Sequence, residues 1–359
     1  MIDIPTKVVI AMSGGVDSSV AAALLQQQGY AVTGVMLRLW SEPGKEDCNR
    51  CCAPEAMAMA RRVAGRLGIP FYVLDARETF YEQVVKDMLH SYASGVTPNP
   101  CLTCNRLVRW DFLYQYALSL GAGYLATGHY ARVERNENGA LRLLRALDRN
   151  KDQSYVLHML TQEKLAHTLF PLGELTKPQV RQIARELELP VAERPDSQDL
   201  CFLGEGDLDG FLLRHAPELA HPGEIRNRQG EVLGRHRGLA FYTIGQRKGL
   251  GLSALQPYYV FRKDVAQNQL IVGTASELGQ EECHAQQVNW LAGAPPASAF
   301  RAQVKIRYKA QEARATVTPE GNQEARVRFD QPLRDITPGQ AVVFYSGEEV
   351  LGGGVIRSQ

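Results

Sequence analysis

The sequence predicts an α/β protein with an N-terminal doubly wound parallel sheet, then a small, mostly β central domain and a C-terminal β-barrel or sandwich. Three observations carry this. Strand and helix signals alternate over about the first 200 residues, the pattern of a parallel sheet covered on both faces. From about Pro222, glycine and proline become frequent and short β-like runs replace helices. After about Cys283 come five short alternating runs parted by turns. The boundaries are set at residues 1–210, 211–280 and 281–359.

The first stretch opens with "KVVIAM", a short buried strand, and "SSVAAALLQQQGY", a helix closing near Gly29. "AVTGVML" is the next strand. "PEAMAMARRVAGRLG" is the next helix, with Pro54 suited to the first helical turn, and "PFYVLD" is the strand after it. A helical pattern covers Glu82 to Ala93, and "GYLATGHYA" returns to strand. Ligands of such sheets sit at the carboxyl ends of the strands, so the loops leaving those ends are where chemistry is expected. In the central stretch, "GLAFYTIGQRKGLGL" ends in a glycine-punctuated basic turn, and "YYVFRKD" with "NQLIVG" reads as a hairpin. "FRAQVKIRYKA", "ARATVTPE", "ARVRFDQP", "QAVVFYSG" and "EVLGGGVIR" are the five closing runs.

At 359 residues the chain has room for two or three domains. Lys plus Arg number 40 against 39 Asp plus Glu, a balance that neither demands nor excludes a nucleic-acid partner, because a basic face can hide in a neutral total. "MIDIPTKVVI" lacks the basic and apolar regions of a signal peptide, and no run approaches the length of a membrane span. A cytoplasmic protein with no membrane partner is expected. The seven cysteines are odd in number and widely spread, unlike a secreted disulfide scaffold. Cys48, Cys51 and Cys52 have metal-like spacing without an evident fourth ligand and receive no role. Cys283 reads as an inert buried thiol.

The loop "SGGVDSS" sits between the first strand and the first helix. Gly14 and Gly15 let the backbone turn tightly and approach a ligand, Ser13, Ser18 and Ser19 add hydroxyl donors, and the helix points its positive end at the same spot. An anion is the natural guest. The loop is no Walker A, because the lysine that reaches the terminal phosphates there is missing.

Ser13 to Ser18 resembles the pyrophosphate loop of the N-type ATP pyrophosphatases, with their adenine-nucleotide alpha hydrolase-like sheet. Those enzymes adenylate an oxygen on the substrate and displace AMP with nitrogen or sulfur. The resemblance implies ATP contacts from Ala11, Met12, Ser13, Gly14, Gly15, Val16, Asp17 and Ser18, with Leu37 lining the adenine pocket, Gly128 touching ATP and Asp17 helping to hold Mg2+.

The cysteines indicate the nucleophile. "TPNPCLTCNR" places Cys101 and Cys104 three residues apart, and "DSQDLCFL" supplies Cys201 about 100 residues later. A thiolate attacks readily and can carry a persulfide. With "ATGHYAR", "KDQSYVL" and "YTIGQRKGLG", these motifs resemble those of the bacterial tRNA-specific 2-thiouridylases over essentially the whole chain. That family replaces O2 of the wobble uridine, position 34, in tRNAs for Lys, Glu and Gln. It implies Cys201 as persulfide carrier and Cys104 as the thiol that frees the sulfur, with a disulfide between them afterwards. Asn99, Pro100 and Cys101 would border the flipped base. His129, Lys151, Asp152, Gln153, Arg307, Tyr308 and Gln340 would meet the tRNA, the segment 151–153 ordering over it. In some members an Asp proposed as general acid or base stands at the position of Cys101, and a thiol is a much weaker acid. The partners implied are tRNA and a persulfide donor, either a cysteine desulfurase or a sulfur-relay protein.

Blander readings stand beside these. His129 after an apolar strand also suits a core histidine, Lys151 a solvated loop charge, and Cys201 between Leu200 and Phe202 a buried thiol. The basic stretches around Arg106 and Arg109, "RLLRALDRNKDQ", "GQRKG" and "KIRYK" suit phosphate contacts or ordinary surface. Two other functions remain open: an amidating pyrophosphatase using ammonia, and a tRNA-binding iron–sulfur or zinc protein with Cys101, Cys104 and Cys201 as ligands. An iron–sulfur cluster is therefore possible but not assigned.

Overall fold

Short apolar runs rich in valine, isoleucine and leucine become five parallel strands. The computed structural model describes residues 5–44, 53–195, 200–203 and 208–357, so Cys48, Cys51, Cys52 and residues 196–199 lie outside it. The strands are β1 (Lys7–Ala11), β2 (Ala31–Arg38), β3 (Phe71–Asp75), β4 (Tyr124–Thr127) and, after a hairpin of β5 (Ala131–Arg135) and β6 (Leu141–Arg145), β7 (Thr168–Leu169). Their order is β3-β2-β1-β4-β7. Helix α1 (Val16–Gln27) carries alanine, valine and leucine on most of its faces and is buried from Ser18 to Ala23, wedged against α2 (Pro54–Leu67) and the later helix Lys177–Glu186. The first two predicted helices and all of the predicted N-terminal strands are present. The predicted helix over Glu82 to Ala93 is part of a longer helical run, 77–93.

The central sheet contains β8 (Gly223–Asn227), β9 (Val232–His236), β10 (Tyr258–Asp264) and β11 (Gln269–Thr274) in the order β10-β11-β8-β9. β10 and β11 form the expected antiparallel hairpin.

The last stretch closes into an antiparallel barrel of six strands, β12 (Gln280–Trp290), β13 (Phe300–Lys305), β14 (Ala313–Pro319), β15 (Glu324–Leu333), β16 (Ala341–Ser346) and β17 (Glu349–Ile356). Pairing of β12 with β17 joins the ends, which decides for a barrel over a sandwich. Val304, Val317, Val327 and Phe344 fill its core. β12 is the strand that the sequence hides. Its inward residues are Cys283 and Ala285, then Val288 and Trp290, because a bulge at Gln287 (φ 53) inserts one residue and breaks the alternation. The hairpin β5–β6 leaves the first domain and adds to the barrel sheet, with Leu143 and Leu144 of β6 opposite Val350 and Glu349 of β17. No helix among the described residues is long and apolar enough to cross a membrane.

Candidate functional site

The strand order reverses at β1, with β2 and β3 on one side and β4 and β7 on the other, so a crevice opens beyond the carboxyl ends of β1 and β4. The loop after β1 is "SGGVDSS" and the residue after β4 is Gly128. Gly14 has φ +71, and a Cβ there would stand 2.3 Å from the Ala56 carbonyl oxygen. A Cβ on Gly128 would stand 2.8 Å from the Ser18 amide nitrogen, so the two loops touch backbone to backbone. Gly15 caps α1 without any side-chain bond, which leaves the first-turn amides to an anion. Ser18 and Ser19 turn inward on the loop itself. Both are buried and their hydroxyls donate to the Gly15 carbonyl, at 3.3 Å and 2.8 Å, so they shape the loop. Ser13, its amide 3.2 Å from Ser18 Oγ, stays exposed. Ala11 ends β1, Met12 and Val16 enter the core, and Leu37 lies half-buried near the end of β2 opposite Leu74 of β3.

Cations reach this loop from residues far along the chain. Lys177 donates to both carboxylate oxygens of Asp17, and the Tyr130 hydroxyl donates to Asp17 Oδ1 at 2.7 Å. Arg194 Nη1 donates to the Gly14 carbonyl at 2.8 Å, and Arg181 in turn holds the carbonyls of Ala192 and Arg194 at 2.7 Å and 3.0 Å. Sequence reasoning missed Lys177, Tyr130 and Arg194. One signal existed: Lys177 is the first residue of a helix capped by Thr176, where the macrodipole disfavours a cation.

The thiols come from two further elements. The Asn99 side chain accepts the Cys101 amide at 3.2 Å and starts the short helix Pro100–Thr103. Cys101 is exposed and Cys104 buried, the latter opening a π-helical stretch, Cys104–Leu113. Such widened turns are frequent at functional sites. Cys201 is half-buried, and the ring of the next residue, Phe202, meets Phe80 and Phe211 edge to face with centroids 5.4 Å and 5.9 Å away. Cys104 belongs to the same apolar cluster as Phe202, and Cys201 packs against that cluster. Burial pushes the Cys283 thiol up to about 12, in keeping with an inert role. Among the described residues, no three His, Cys, Asp or Glu side chains are gathered to hold a metal ion, so Cys101, Cys104 and Cys201 are not arranged as a ligand set.

The residues expected at the tRNA are largely occupied within the protein. Arg109 can only donate, so its 3.0 Å contact makes His129 Nε2 an acceptor, and Nδ1–H then donates to Thr127 Oγ1 at 2.8 Å. Burial and the Arg109 charge hold the His129 pKa well below the ordinary histidine value. Asp152 is buried and accepts the amides of Ala146 and Ser154 and the Ser154 hydroxyl, while Gln153 accepts the Tyr130 amide at 3.0 Å. The segment is thus ordered by its own bonds, with Lys151 half-buried at its turn. Arg307 ties the barrel to the central domain through the Ile244 carbonyl and is held within the barrel by Thr337. Tyr308 presents part of its ring to solvent beside Tyr155, while its hydroxyl is partly desolvated, and that desolvation with the nearby Asp152 and Cys101 raises its pKa. Gln340 binds the loop ahead of Asn99.

Family models match all three parts: the tRNA methyl transferase HUP domain over residues 6–205, the tRNA methyl transferase PRC-barrel domain over 209–274 and the aminomethyltransferase beta-barrel domain over 280–356. The chain is 47% identical over 354 residues to the tRNA-specific 2-thiouridylase MnmA of Magnetococcus marinus, covering 98% of this chain and 99% of that protein. It is 48% identical over 351 residues to the protein of that name from Chloroflexus aggregans, covering 97% and 98%. Among solved structures, the NMN synthetase of Francisella tularensis aligns with a TM-score of 0.35 and 19% identity over 60% of this chain and 75% of that one. With this identity held across the whole length, the chain belongs to the tRNA-specific 2-thiouridylase family.

Proposed function

We propose that the chain is an ATP-dependent tRNA-uridine 2-sulfurtransferase of the cytoplasm, acting on the wobble uridine of tRNAs for Lys, Glu and Gln. The observation that carries this reading is the full-length match to proteins named for 2-thiolation. A phosphate loop at the sheet's switch point and two cysteines bordering one apolar cluster support it. The family-model descriptions speak of methyl transfer, but a glycine-rich loop suited to phosphates, with Cys104 and Cys201 at one apolar cluster, suits sulfur chemistry better. Residues 1–210 serve as the catalytic unit, 211–280 as a connecting domain and 281–359 as the RNA-facing barrel.

ATP lies with its phosphates on the amides of 13–18 and its adenine toward Leu37. Uridine O2 attacks the α-phosphorus and pyrophosphate leaves, which converts a poor leaving group into AMP. Asp17 would hold magnesium; its carboxylate suits the ion by charge, and Lys177 and Tyr130 must share it. The terminal sulfur of a Cys201 persulfide, charged by a donor protein, attacks C2 and AMP departs with O2. The Cys104 thiolate then attacks Cys201 Sγ, breaking the sulfur–sulfur bond, leaving sulfur on the base and forming a Cys104–Cys201 disulfide. His129, neutral and buried, keeps the ring orientation fixed beside Gly128 and takes no proton at neutral pH.

The test is mass spectrometry of tRNA after incubation with enzyme, ATP and a persulfide donor. We expect 2-thiouridine at position 34, and none with Cys201→Ser. A methylated or amidated base, or full activity in that variant, defeats the reading.

A further inference from the structure

We propose that the barrel turn 338–340 positions the thiol-bearing loop, so that the barrel acts on the sulfur chemistry itself as well as on RNA. The inference rests on the sulfurtransferase reading above. One turn makes the contacts to Val96, Thr97 and Pro98. The Thr97 amide donates to the Pro338 carbonyl at 3.1 Å, and Gln340 Nε2 donates to the carbonyls of Thr97 and Pro98 at 2.9 Å and 3.1 Å. Between them Gly339 sits at φ +88, and a Cβ there would stand 2.3 Å from Val96 Cγ1 and 2.8 Å from the Thr97 carbonyl oxygen. The loop is seated directly on bare backbone.

Both sides of this contact are anchored. The turn is stapled to β17 by the Gly339 amide on the Ile356 carbonyl and the Ile356 amide on the Gln340 carbonyl, each at 2.9 Å. The loop is held from the other side by the Val96 amide on the Ser91 carbonyl at 3.0 Å. From the seat to the thiols there is little slack. Pro98 and Pro100 fix two φ angles, Asn99 caps the helix that begins at Pro100, and Cys104 follows one turn later. A shift at Thr97 is therefore carried to Cys101 and Cys104 almost as a rigid body. The Thr97 hydroxyl is buried without a hydrogen-bond partner, so the seat is kept at the expense of a polar group. The Gln340 amide that the family resemblance assigns to RNA is here spent on the thiol loop.

The experiment compares Gly339→Ala with Gly321→Ala. Gly321 has φ +93 and open space around its Cβ, so it carries the same backbone strain without the loop contact. Alkylation of Cys104 by iodoacetamide is followed without tRNA, and thiolation kcat and tRNA Kd are measured separately. For Gly339→Ala we expect Cys104 to react about tenfold faster, kcat to fall about tenfold or more, and Kd to stay within about twofold. Gly321→Ala should match the wild type in all three. Unchanged alkylation in Gly339→Ala, a loss confined to Kd, or equal effects in both variants overturns the proposal. If Gly339→Ala does not fold, Gln340→Ala is taken through the alkylation assay, where a rise of about threefold supports the proposal and no rise overturns it. A wild type that never thiolates tRNA overturns the functional reading alone, because the alkylation comparison stands without it.

Discussion

Lys177 places its ammonium 2.7 Å and 2.8 Å from the two carboxylate oxygens of Asp17, 160 residues earlier in the chain. The lysine absent from the phosphate loop's own sequence thus stands at that loop from a different helix. The side chains are 10% and 34% exposed, between the surface and buried cases. Lys177→Met should lower stability by about 2 kcal/mol, midway between exposed and buried pairs, and Asp17→Asn should no longer add to it in a double-mutant cycle. Urea unfolding of the four proteins measures the coupling. Additive losses would show that the pair is not coupled.

The loop contacts make glycine obligatory at two positions. Gly128→Ala drives a methyl into the backbone of Asp17 and Ser18, and Gly14→Ala adds left-handed strain to a clash with Ala56. Both should weaken ATP binding about tenfold or more in calorimetry, because the amides move off the phosphates. Gly29→Ala is the control: its φ is +87 and its Cβ meets nothing, so a stability loss of about 1 kcal/mol without loss of ATP affinity is expected.

Alkylation at pH 8 should rank Cys101, Cys201 and Cys283, among the described thiols, by exposure. Cys101 is exposed and reacts first, Cys201 is intermediate, and Cys283, with its thiol pushed up to about 12, keeps a thiolate fraction of only about 10⁻⁴. Peptide mass spectrometry over time reads the order. Rapid labelling of Cys283 in folded protein would contradict its burial.

Two histidines make stability fall in acid. Burial lowers the His158 pKa from 6.5 to about 4, and that of His129 well below its ordinary value. His158 Nδ1–H donates to the Tyr155 carbonyl at 2.7 Å and the ring stays neutral. Between the two pKa values the unfolded chain binds a proton that the folded chain refuses. The stability is therefore full above about pH 6.5 and is lost as pH falls toward 4, by about 3 kcal/mol for His158. Urea midpoints at pH 7.5 and 5 should differ less in His158→Leu than in wild type. An equal difference in both proteins counts against this assignment.

The sheet and the loop after β1 were legible because each is local: apolar runs, glycines and a helix start lie within a few residues of one another. The barrel was legible in five of its six strands, and β12 was hidden because the bulge at Gln287 shifts its inward face by one residue. Lys177, Tyr130 and Arg194 were not legible as loop partners, since only folding brings residues 130, 177 and 194 to residues 14 and 17. Asp152 and Gln153 were placed at the RNA by the family resemblance alone, since residue type does not tell a buried acceptor from an exposed one. Their hydrogen bonds, to Ala146, Ser154 and Tyr130, exist only in the folded chain.

The hairpin β5–β6 has to wait for its partner. On the ribosome it emerges roughly 200 residues before β17, a delay of roughly 10–40 s at ordinary elongation rates. Until then the edge of β6 that will meet Val350 is an unpaired template, open to a neighbouring nascent chain. Arg132, Glu134, Arg135, Arg142 and Arg145 crowd this hairpin with charge, the arrangement that keeps a waiting edge from aggregating. A strand made some 200 residues later thus completes the first domain's hairpin, so a chain cut before β17 is left with an open seam along β6.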